Sequence, residues 1–328
     1  LKVGRKVLLN LQLLRAFAAL NVVLFHTIGA AVSYGYETNL ISYLEGWGAN
    51  GVDIFFVISG FVMLYTQLDN KRTVKDFLIL RAIRIVPIYW LLTLTVTTIY
   101  IAAPFLFREM IISTEWTLAS LGFMSTAVVG KMPIVYVGWT LEWEMLFYLV
   151  FGLSLWFRSW AVTLSVTSLA LISIALVVSD FILLEFLAGL IIALLFKRYG
   201  FNSFGKISLI LGGLLLSLSI SEEVRELVES RVILWGLPSV LIVYGAVTTP
   251  QVSSKLGKLL GDASYSIYLI QMLSIPVFYK ILSFLNIQLS NDLLAIACLI
   301  ATAIGGTVMY LLIEKPMTQL IKRRVYAN

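Results

Sequence analysis

Long apolar segments recur along the whole sequence and constrain its fold more than any other feature. Ten can be counted, and several exceed the roughly 20 residues that a helix needs to cross the hydrocarbon core of a bilayer. Because a backbone in lipid must satisfy its own hydrogen bonds, we predict an all-α, polytopic membrane protein with a bundle of about ten transmembrane helices. The segments lie at about 8–33, 50–68, 85–107, 137–157, 159–178, 181–197, 207–220, 232–249, 264–283 and 293–313.

The composition supports this class and argues against others. Of the 328 residues, 60% are hydrophobic and 13% are charged. No polar stretch is long enough for a separate soluble domain, so residues 1–328 are treated as a single domain. The net charge of +6 does not indicate nucleic-acid binding, because the cations lie in short segments between apolar runs. With one cysteine and one histidine, a conventional zinc site is not expected, and we predict no metal.

The basic residues predict an orientation in the membrane. An even number of spans places both termini on one side, and cytoplasmic segments are enriched in Lys and Arg. Eighteen cations fall on the side of the termini and five on the other, so both termini are predicted to be cytoplasmic, with the first segment retained as a signal anchor. The eighteen are Lys2, Arg5, Lys6, Lys71, Arg72, Lys75, Arg81, Arg84, Arg158, Lys197, Arg198, Lys206, Lys255, Lys258, Lys315, Lys322, Arg323 and Arg324; the five are Arg108, Lys131, Arg225, Arg231 and Lys280.

The first apolar segment carries two ionisable side chains, Arg15 and His26, the latter being the only histidine. A charge at the centre of a span costs about 2.5 to 3.5 kcal/mol on insertion scales, so such residues are functional by default. Their separation along the chain puts both on one stripe of a helix, about 16 Å apart along its axis. This arrangement indicates a lined passage inside a bundle, although a lone histidine can also be a hydrogen-bonded packing residue.

Carboxylates at similar depth suggest what the histidine does. In the predicted orientation, His26 and Glu144 both lie about 10 Å below the outer face, with Asp53 and Glu142 shallower. A carboxylate beside an imidazole favours a general base for a hydroxyl group. Two other roles stay open: Glu144 as the partner of an arginine, and Asp53 as an acid at a helix N-terminus.

Arginines are predicted to cluster in the inner half. Arg15 lies toward the inner face, above a basic loop that contains Arg81 and Arg84. These two share one helix face at the i, i+3 spacing. They are either inner-leaflet anchors or phosphate ligands, for which a guanidinium group is well suited.

Six stretches, in order, resemble the acyltransferase 3 family of integral membrane acyltransferases. They are LRAFAALNVVLFH, GVDIFFVISGFVM, RAIRIVPIYW, WTLEWEMLFYL, LGDASYSIYL and IEKP, and together they cover nearly the whole chain. The resemblance implies acetyl-CoA as donor and a cell-surface carbohydrate as acceptor. It is closest to the bacterial O-acetyltransferases of exopolysaccharide and lipopolysaccharide.

The resemblance also implies roles for particular residues. Arg15 and His26 match the family's signature pair, and Arg81 and Arg84 match its paired arginines. Glu144 matches the acid of the W-[ST]-L-x-x-E pattern. We therefore predict two catalytic residues, His26 and Glu144, and three residues that bind acetyl-CoA, namely Arg15, Arg81 and Arg84.

Acceptor binding is assigned within three of the matched stretches. Asp53, Trp139 and Tyr265 are predicted to contact the substrate. One departure is visible, because Gln271 stands where many family members carry a histidine. This departure puts the acceptor contact in doubt and leaves His26 as the only imidazole.

The sequence thus predicts a multi-pass acyltransferase of the bacterial inner membrane. It would move acetyl from cytoplasmic acetyl-CoA to a hydroxyl of a polysaccharide, with exopolysaccharide favoured, or of its lipid-linked oligosaccharide precursor. Transfer is either direct or through an acetylated His26. Expected partners are acetyl-CoA, the acceptor and membrane lipid, and a homodimer is compatible with the sequence. The competing hypotheses are a proton- or anion-coupled transporter of a glycan precursor and a non-catalytic flippase partner.

Overall fold

The computed structural model describes residues 8–69, 72–107, 111–285 and 289–326. Every regular element in these ranges is helical, which confirms the predicted fold class. Five of the basic residues counted above, Lys2, Arg5, Lys6, Lys71 and Arg108, lie outside the described residues. The α-helices are α1 (Leu9–Ser33), α2 (Asn50–Asp69), α3 (Val74–Ala102), α4 (Thr114–Leu121), α5 (Ser125–Val129), α6 (Trp139–Ser154), α7 (Trp160–Val178), α8 (Leu183–Tyr199), α9 (Phe204–Leu218), α10 (Glu222–Leu227), α11 (Leu237–Thr248), α12 (Lys255–Leu285), α13 (Asn291–Met309) and α14 (Lys315–Tyr326).

Several of these helices can cross a bilayer, so the chain is a multi-pass membrane protein. Within the described ranges, two further apolar helices are shorter than a full span, Phe204–Leu218 and Val232–Thr248. The total of about ten spans and the cytoplasmic placement of both termini stay predictions. In the part of the chain that the structure describes, six stretches have sufficient length and apolar composition: Leu9–Ser33, Ser42–Leu68, Val74–Ala102, Trp160–Val178, Lys255–Leu285 and Asn291–Tyr326.

Helix α3 begins well before the predicted span. Thr73 is its N-cap, and the Thr73 side-chain oxygen accepts a hydrogen bond from the backbone N–H of Asp76 at 3.1 Å. This cap satisfies one of the N–H groups that a helix start leaves unpaired. The basic segment with Arg81 and Arg84 was expected to be a loop and is instead part of the helix, which continues through Pro87. Both arginines are therefore held on a rigid element.

Helices α1 and α12 run parallel in close contact, and small residues make this possible. Gly257 and Gly261 both belong to α12. A Cβ atom on Gly261 would lie 2.2 Å from the backbone oxygen of Gln12. In a membrane, where packing rather than water drives helix association, such small residues let two backbones approach.

Helices α2 and α8 show the same kind of contact. A Cβ on Gly60 would lie 2.0 Å from the backbone oxygen of Phe186, and one on Gly189 would lie 2.2 Å from that of Val57. Phe186 also stacks on Phe147 of α6, with ring centroids 4.4 Å apart. Through these contacts α2 packs directly against α8, and α8 against α6.

Two π-helical turns interrupt the bundle, Val232–Gly236 before α11 and Tyr310–Glu314 before α14. Each is followed within two residues by a proline, Pro238 or Pro316. Proline lacks the N–H that would continue the α-helical ladder, and a wider turn accommodates this loss. The second turn has a consequence for the site, since it ends at the buried carboxylate of Glu314.

Adjacent glycines of α13 provide a test of this packing. A Cβ on Gly306 would lie 2.4 Å from Cα of Ile267 on α12, whereas a Cβ on Gly305 meets nothing within 4 Å. We expect Gly306→Ala to lower the stability by about 1 to 3 kcal/mol through overpacking. Gly305→Ala should be neutral or slightly stabilising, since alanine favours a helix. Thermal unfolding in detergent measures both, and equal melting temperatures would contradict the packing.

Candidate active site

A cavity of about 140 Å³ lies between α1, α2, α3, α6 and α12. Its lining includes the three predicted donor-binding arginines, Arg15, Arg81 and Arg84, together with Glu144 and Tyr265. Most of the remaining lining residues are apolar, and most of these apolar side chains belong to α2. The structure therefore brings five of the eight predicted site residues to one cavity.

Arg15 is held at the interface of α1 and α12. Its Nη2 donates a hydrogen bond to Oγ of Ser264 at 2.9 Å, and its Nη1 lies 3.3 Å from Oε1 of Gln12, one turn earlier on α1. A guanidinium group carries five N–H donors, so two such bonds leave others for a ligand. Ser264 also lines the cavity, which fixes the guanidinium group at its wall.

Arg84 lies opposite a buried carboxylate. Its Nη1 is 3.9 Å from Oε1 of Glu314, whose side chain is 3% exposed. The second oxygen of Glu314 accepts a hydrogen bond from Oγ of Ser266 at 2.6 Å. Glu314 therefore supplies negative charge beside an arginine that is 38% exposed and free to reach a ligand.

Arg81 has a different environment, made of aromatic rings. Its guanidinium carbon lies 5.7 Å from the ring centre of Phe77 and 5.9 Å from that of Tyr148. These distances are typical of cation–π contacts. Its buried Nε atom has no hydrogen-bond partner among the described residues. The cation is thus stabilised without a carboxylate of its own.

Glu144 is held by hydroxyl groups. Its Oε1 accepts hydrogen bonds from Oγ of Ser59, at 3.0 Å, and from the hydroxyl of Tyr148 one turn along α6. Within the described residues it forms no ion pair with an arginine, and its Oε2 has no hydrogen-bond partner. One carboxylate oxygen is therefore fixed and the other remains available in the cavity.

His26 does not line this cavity, so the expected carboxylate–histidine cluster is not formed. Its half-buried ring lies edge-on to Phe25 and Tyr136, with centroids 4.7 and 4.9 Å away. The described residues offer its nitrogens no hydrogen bond, and Glu144 bonds to Ser59 instead. The prediction matched the two residues in depth, but depth does not fix rotation about a helix axis, and α6 turns Glu144 toward α2.

A pair of hydroxyl groups connects the cavity to the segment against which His26 packs. The Tyr268 hydroxyl donates to the backbone oxygen of Val137 at 2.8 Å and shares a hydrogen bond of 2.8 Å with Oγ1 of Thr140. Tyr268 and Thr140 both line the cavity. Val137 directly follows Tyr136, the residue against which His26 packs. The Thr140–Tyr268 pair therefore bonds to the residue next to the one that contacts His26.

The predicted acceptor-binding residues divide between the cavity and the rest of the bundle. Tyr265 lines the cavity, and its hydroxyl donates to the backbone oxygen of Ile85 at 2.7 Å. Asp53 does not line it: its side chain is fully buried and pairs with Arg231, Oδ2 to Nη2, at 2.8 Å. Trp139, the first residue of α6, packs half-buried against the hydrophobic core.

Two other residues named from the sequence have structural contacts. Gln271, at the position of the family departure, is fully buried and donates to the backbone oxygen of Tyr268 at 2.7 Å. Glu142 accepts a hydrogen bond of 2.6 Å from the backbone N–H of Ser125, at the start of α5. Gln271 thus bonds to the turn of α12 that carries the Tyr268 hydroxyl. Glu142 bonds to the start of α5 and does not line the cavity.

Sequence reasoning missed several polar residues of the cavity. Ser59 and Tyr148 lie in two of the matched stretches but were given no role in the site. The i, i+4 spacing of Tyr148 from Glu144 was a signal that the two share a helix face. The same spacing joins Ser264 and Tyr268 on α12. Glu314 was visible in the IEKP stretch but had no role assigned.

Metal binding has no support in the described residues. They contain no group of three or more His, Cys, Asp or Glu side chains that could hold a metal ion.

Comparison with known proteins assigns the family. Residues 8–312 match the acyltransferase domain that defines the acyltransferase 3 family. The chain belongs to the acyltransferase 3 family. It is therefore an acyltransferase, and the matched region contains every residue that lines the cavity.

Two relatives of this acyltransferase are informative. The exopolysaccharide production protein ExoZ of Rhizobium meliloti (strain 1021) is 33% identical over 305 residues, which cover 86% of this chain and 93% of the relative. The putative acetyltransferase ORF330 of Acidianus two-tailed virus is 27% identical over 281 residues, covering 79% and 81% of the two chains. No solved structure matches the chain.

The contact between Ser266 and Glu314 gives a testable prediction. A hydrogen bond to a buried charged group contributes about 1.5 to 3 kcal/mol. We expect Ser266→Ala and Glu314→Gln each to destabilise the acyltransferase, and their double variant to lose clearly less than the sum of the two. The control cycle pairs Ser266→Ala with Ser274→Ala, because the Ser274 hydroxyl shares its hydrogen bond with Thr302 and not with Glu314. Additive losses for the first pair, measured by thermal unfolding, would contradict the contact.

Proposed function

We propose that this acyltransferase is an O-acetyltransferase that moves an acetyl group from acetyl-CoA to a hydroxyl of an exopolysaccharide or of its lipid-linked precursor. The observation that carries the proposal is the single cavity lined by Arg15, Arg81, Arg84 and Glu144. Charges inside an apolar bundle are unfavourable and are found where they serve a substrate pathway. The similarity to a protein named for exopolysaccharide production supports the acceptor class.

The three arginines suit the phosphate groups of the donor. Guanidinium groups bind phosphate oxygens through paired N–H donors. Arg84 is part-exposed, and its charge is only partly balanced by Glu314 at 3.9 Å. Arg81 has no carboxylate partner among the described residues and retains an unpaired buried Nε. In the proposal, acetyl-CoA therefore enters from the cytoplasmic side, at the end of the bundle where α3 begins.

The cavity itself suits the slim pantetheine arm rather than the nucleotide. Its volume of about 140 Å³ holds a narrow chain and little more. The arm would run past Glu144 toward the Thr140–Tyr268 pair. In the proposal, the acetyl group passes this pair to reach the imidazole of His26, which packs against Tyr136. The acceptor hydroxyl would approach from the opposite side of the membrane.

In the proposed reaction, His26 acts as the general base. Its imidazole removes the proton from the acceptor hydroxyl as that oxygen attacks the carbonyl carbon of the thioester. The carbon–sulfur bond then breaks, and the imidazolium returns the proton to the leaving sulfur. In the two-step form, the imidazole nitrogen attacks the thioester carbon and CoA leaves as the thiolate. The acetyl group then passes from the imidazole to the hydroxyl oxygen, and the hydroxyl proton ends on the sulfur. Glu144 acts in the cavity, where its charge and its unpaired Oε2 orient the donor; it does not position His26.

Replacement of His26 tests the proposal. We expect His26→Gln to reduce the acetate content of the surface polysaccharide at least about 100-fold, since general-base catalysis contributes about 10² to 10⁴ in rate. Glu142→Gln is the matched control, because it changes an acid of α6 that does not line the cavity. Immunoblots of membranes verify equal protein. A His26→Gln strain with normal acetate would refute the assignment.

A further inference from the structure

A second cavity lies where four helices end. It has a volume of about 950 Å³ and is formed by the end of α2, the start of α3, the end of α6 and the start of α7. The substrate cavity is lined by other residues of α2, α3 and α6, so the two sites lie along the same helices without sharing a side chain. The proposed function uses no residue of this second cavity.

The charge of this second cavity is positive. Arg72, Lys75 and Arg158 line it, and no carboxylate is present among the described lining residues. Arg158 and Lys75 are exposed, so their cationic heads are accessible. Three cations among the described lining residues, against the one nearby carboxylate of Asp76 that bonds to Thr73 at 2.8 Å, favour an anion in this concave site.

The start of α3 adds backbone donors to this charge. Thr73 caps the helix and bonds to the N–H of Asp76, and Thr73, Val74 and Lys75 all line the second cavity. The first N–H groups of a helix have no partner inside the helix. Together with the dipole of a 29-residue helix, they favour a negatively charged group at this end.

A buried amide points independently to a ligand. Gln67 is fully buried and lines the second cavity. Its Oε1 accepts a hydrogen bond from the backbone N–H of Arg72 at 3.0 Å, and its Nε2 has no partner among the described residues. An unsatisfied buried donor costs free energy unless a ligand or water satisfies it. An oxygen-rich anion in the cavity would accept this hydrogen bond.

The rest of the wall is apolar and faces outward. Trp156 is 78% exposed and Leu153 is 55% exposed, and Leu155 and Trp160 complete the same side. Tryptophan is enriched where a bilayer meets water, since one part of its ring system is apolar and its N–H is polar. Apolar side chains beside cations at the rim of a bundle match a lipid, whose headgroup is charged and whose chains are not.

We propose that the second cavity binds the phosphate group of an acidic phospholipid headgroup. Arg72, Lys75 and Arg158 supply the charge, while Gln67 and the start of α3 supply the hydrogen bonds. Leu153 and Trp156 contact the glycerol and the first methylene groups. Acidic lipids are attracted to basic groups next to membrane spans, and this site adds defined geometry to that attraction. The proposal stands independently of the acyl acceptor and donor.

Native mass spectrometry of the purified full-length protein tests the site. Phosphatidylglycerol and phosphatidylcholine with the same acyl chains are titrated in a neutral detergent. We expect tighter binding of phosphatidylglycerol, and a loss of affinity in Lys75→Gln and Arg158→Gln of about fivefold for each cation removed. Lys206→Gln, an exposed lysine at the start of α9 outside the cavity, should bind like the unchanged protein. Both changed residues are exposed, so the variants are expected to fold.

A second arm distinguishes a nucleotide phosphate from a lipid phosphate. Adenosine 3′,5′-bisphosphate is added to the same proteins, because a nucleotide carries the same phosphate chemistry. The proposal is supported if phosphatidylglycerol displaces the bisphosphate from the unchanged protein and does not displace it from the variants. Equal phosphatidylglycerol binding by the unchanged and variant proteins would overturn it. So would variant-sensitive binding of the bisphosphate without variant-sensitive binding of the lipid.

Discussion

Ionised side chains inside an apolar bundle have to be stabilised by the protein, and this constraint organises the whole structure. Each cation or acid of the cavity lined by Arg15, Arg81, Arg84 and Glu144 is held by a different group. Arg15 bonds to a serine of α12, Arg81 lies against two aromatic rings, and Arg84 faces the carboxylate of Glu314. Glu144 accepts hydrogen bonds from hydroxyl groups. Since buried unpaired charges are strongly unfavourable, these contacts explain how one small cavity can hold four of them.

The close approach of α1 to α12 allows the contact that holds Arg15 to form. Gly261 lets the α12 backbone contact α1, and one turn later Ser264 reaches Arg15. Farther along the same two helices, the hydroxyl of Tyr279 reaches the backbone oxygen of Thr27. The helix that carries His26 is thereby fixed along its length. Tyr268 of α12 lines the cavity and bonds to Val137, the residue after the one that contacts His26.

Much of this arrangement could be predicted from the sequence, because it depends on periodicity. Apolar runs predicted the helices, and the rarity of charge in such runs singled out Arg15, Glu144 and His26. Rotation about each helix axis could not be predicted, which is why the pairing of His26 with Glu144 was wrong. Contacts between residues far apart in sequence could not be predicted either. Nothing near Asp53 indicates Arg231, which is 178 residues away and pairs with its fully buried carboxylate.

We propose that the cavity lined by Arg15, Arg81 and Arg84 binds an acyl donor. Thermal unfolding of the purified protein in increasing acetyl-CoA measures this directly, since a ligand that binds the folded state stabilises it by about 2.7 kcal/mol at 100 times its Kd. We expect Tm to rise with acetyl-CoA concentration, and we expect this rise to be strongly reduced in Arg81→Gln and Arg84→Gln and retained in Arg198→Gln. A Tm that does not change at millimolar acetyl-CoA, in a protein that still transports a glycan precursor, would contradict it.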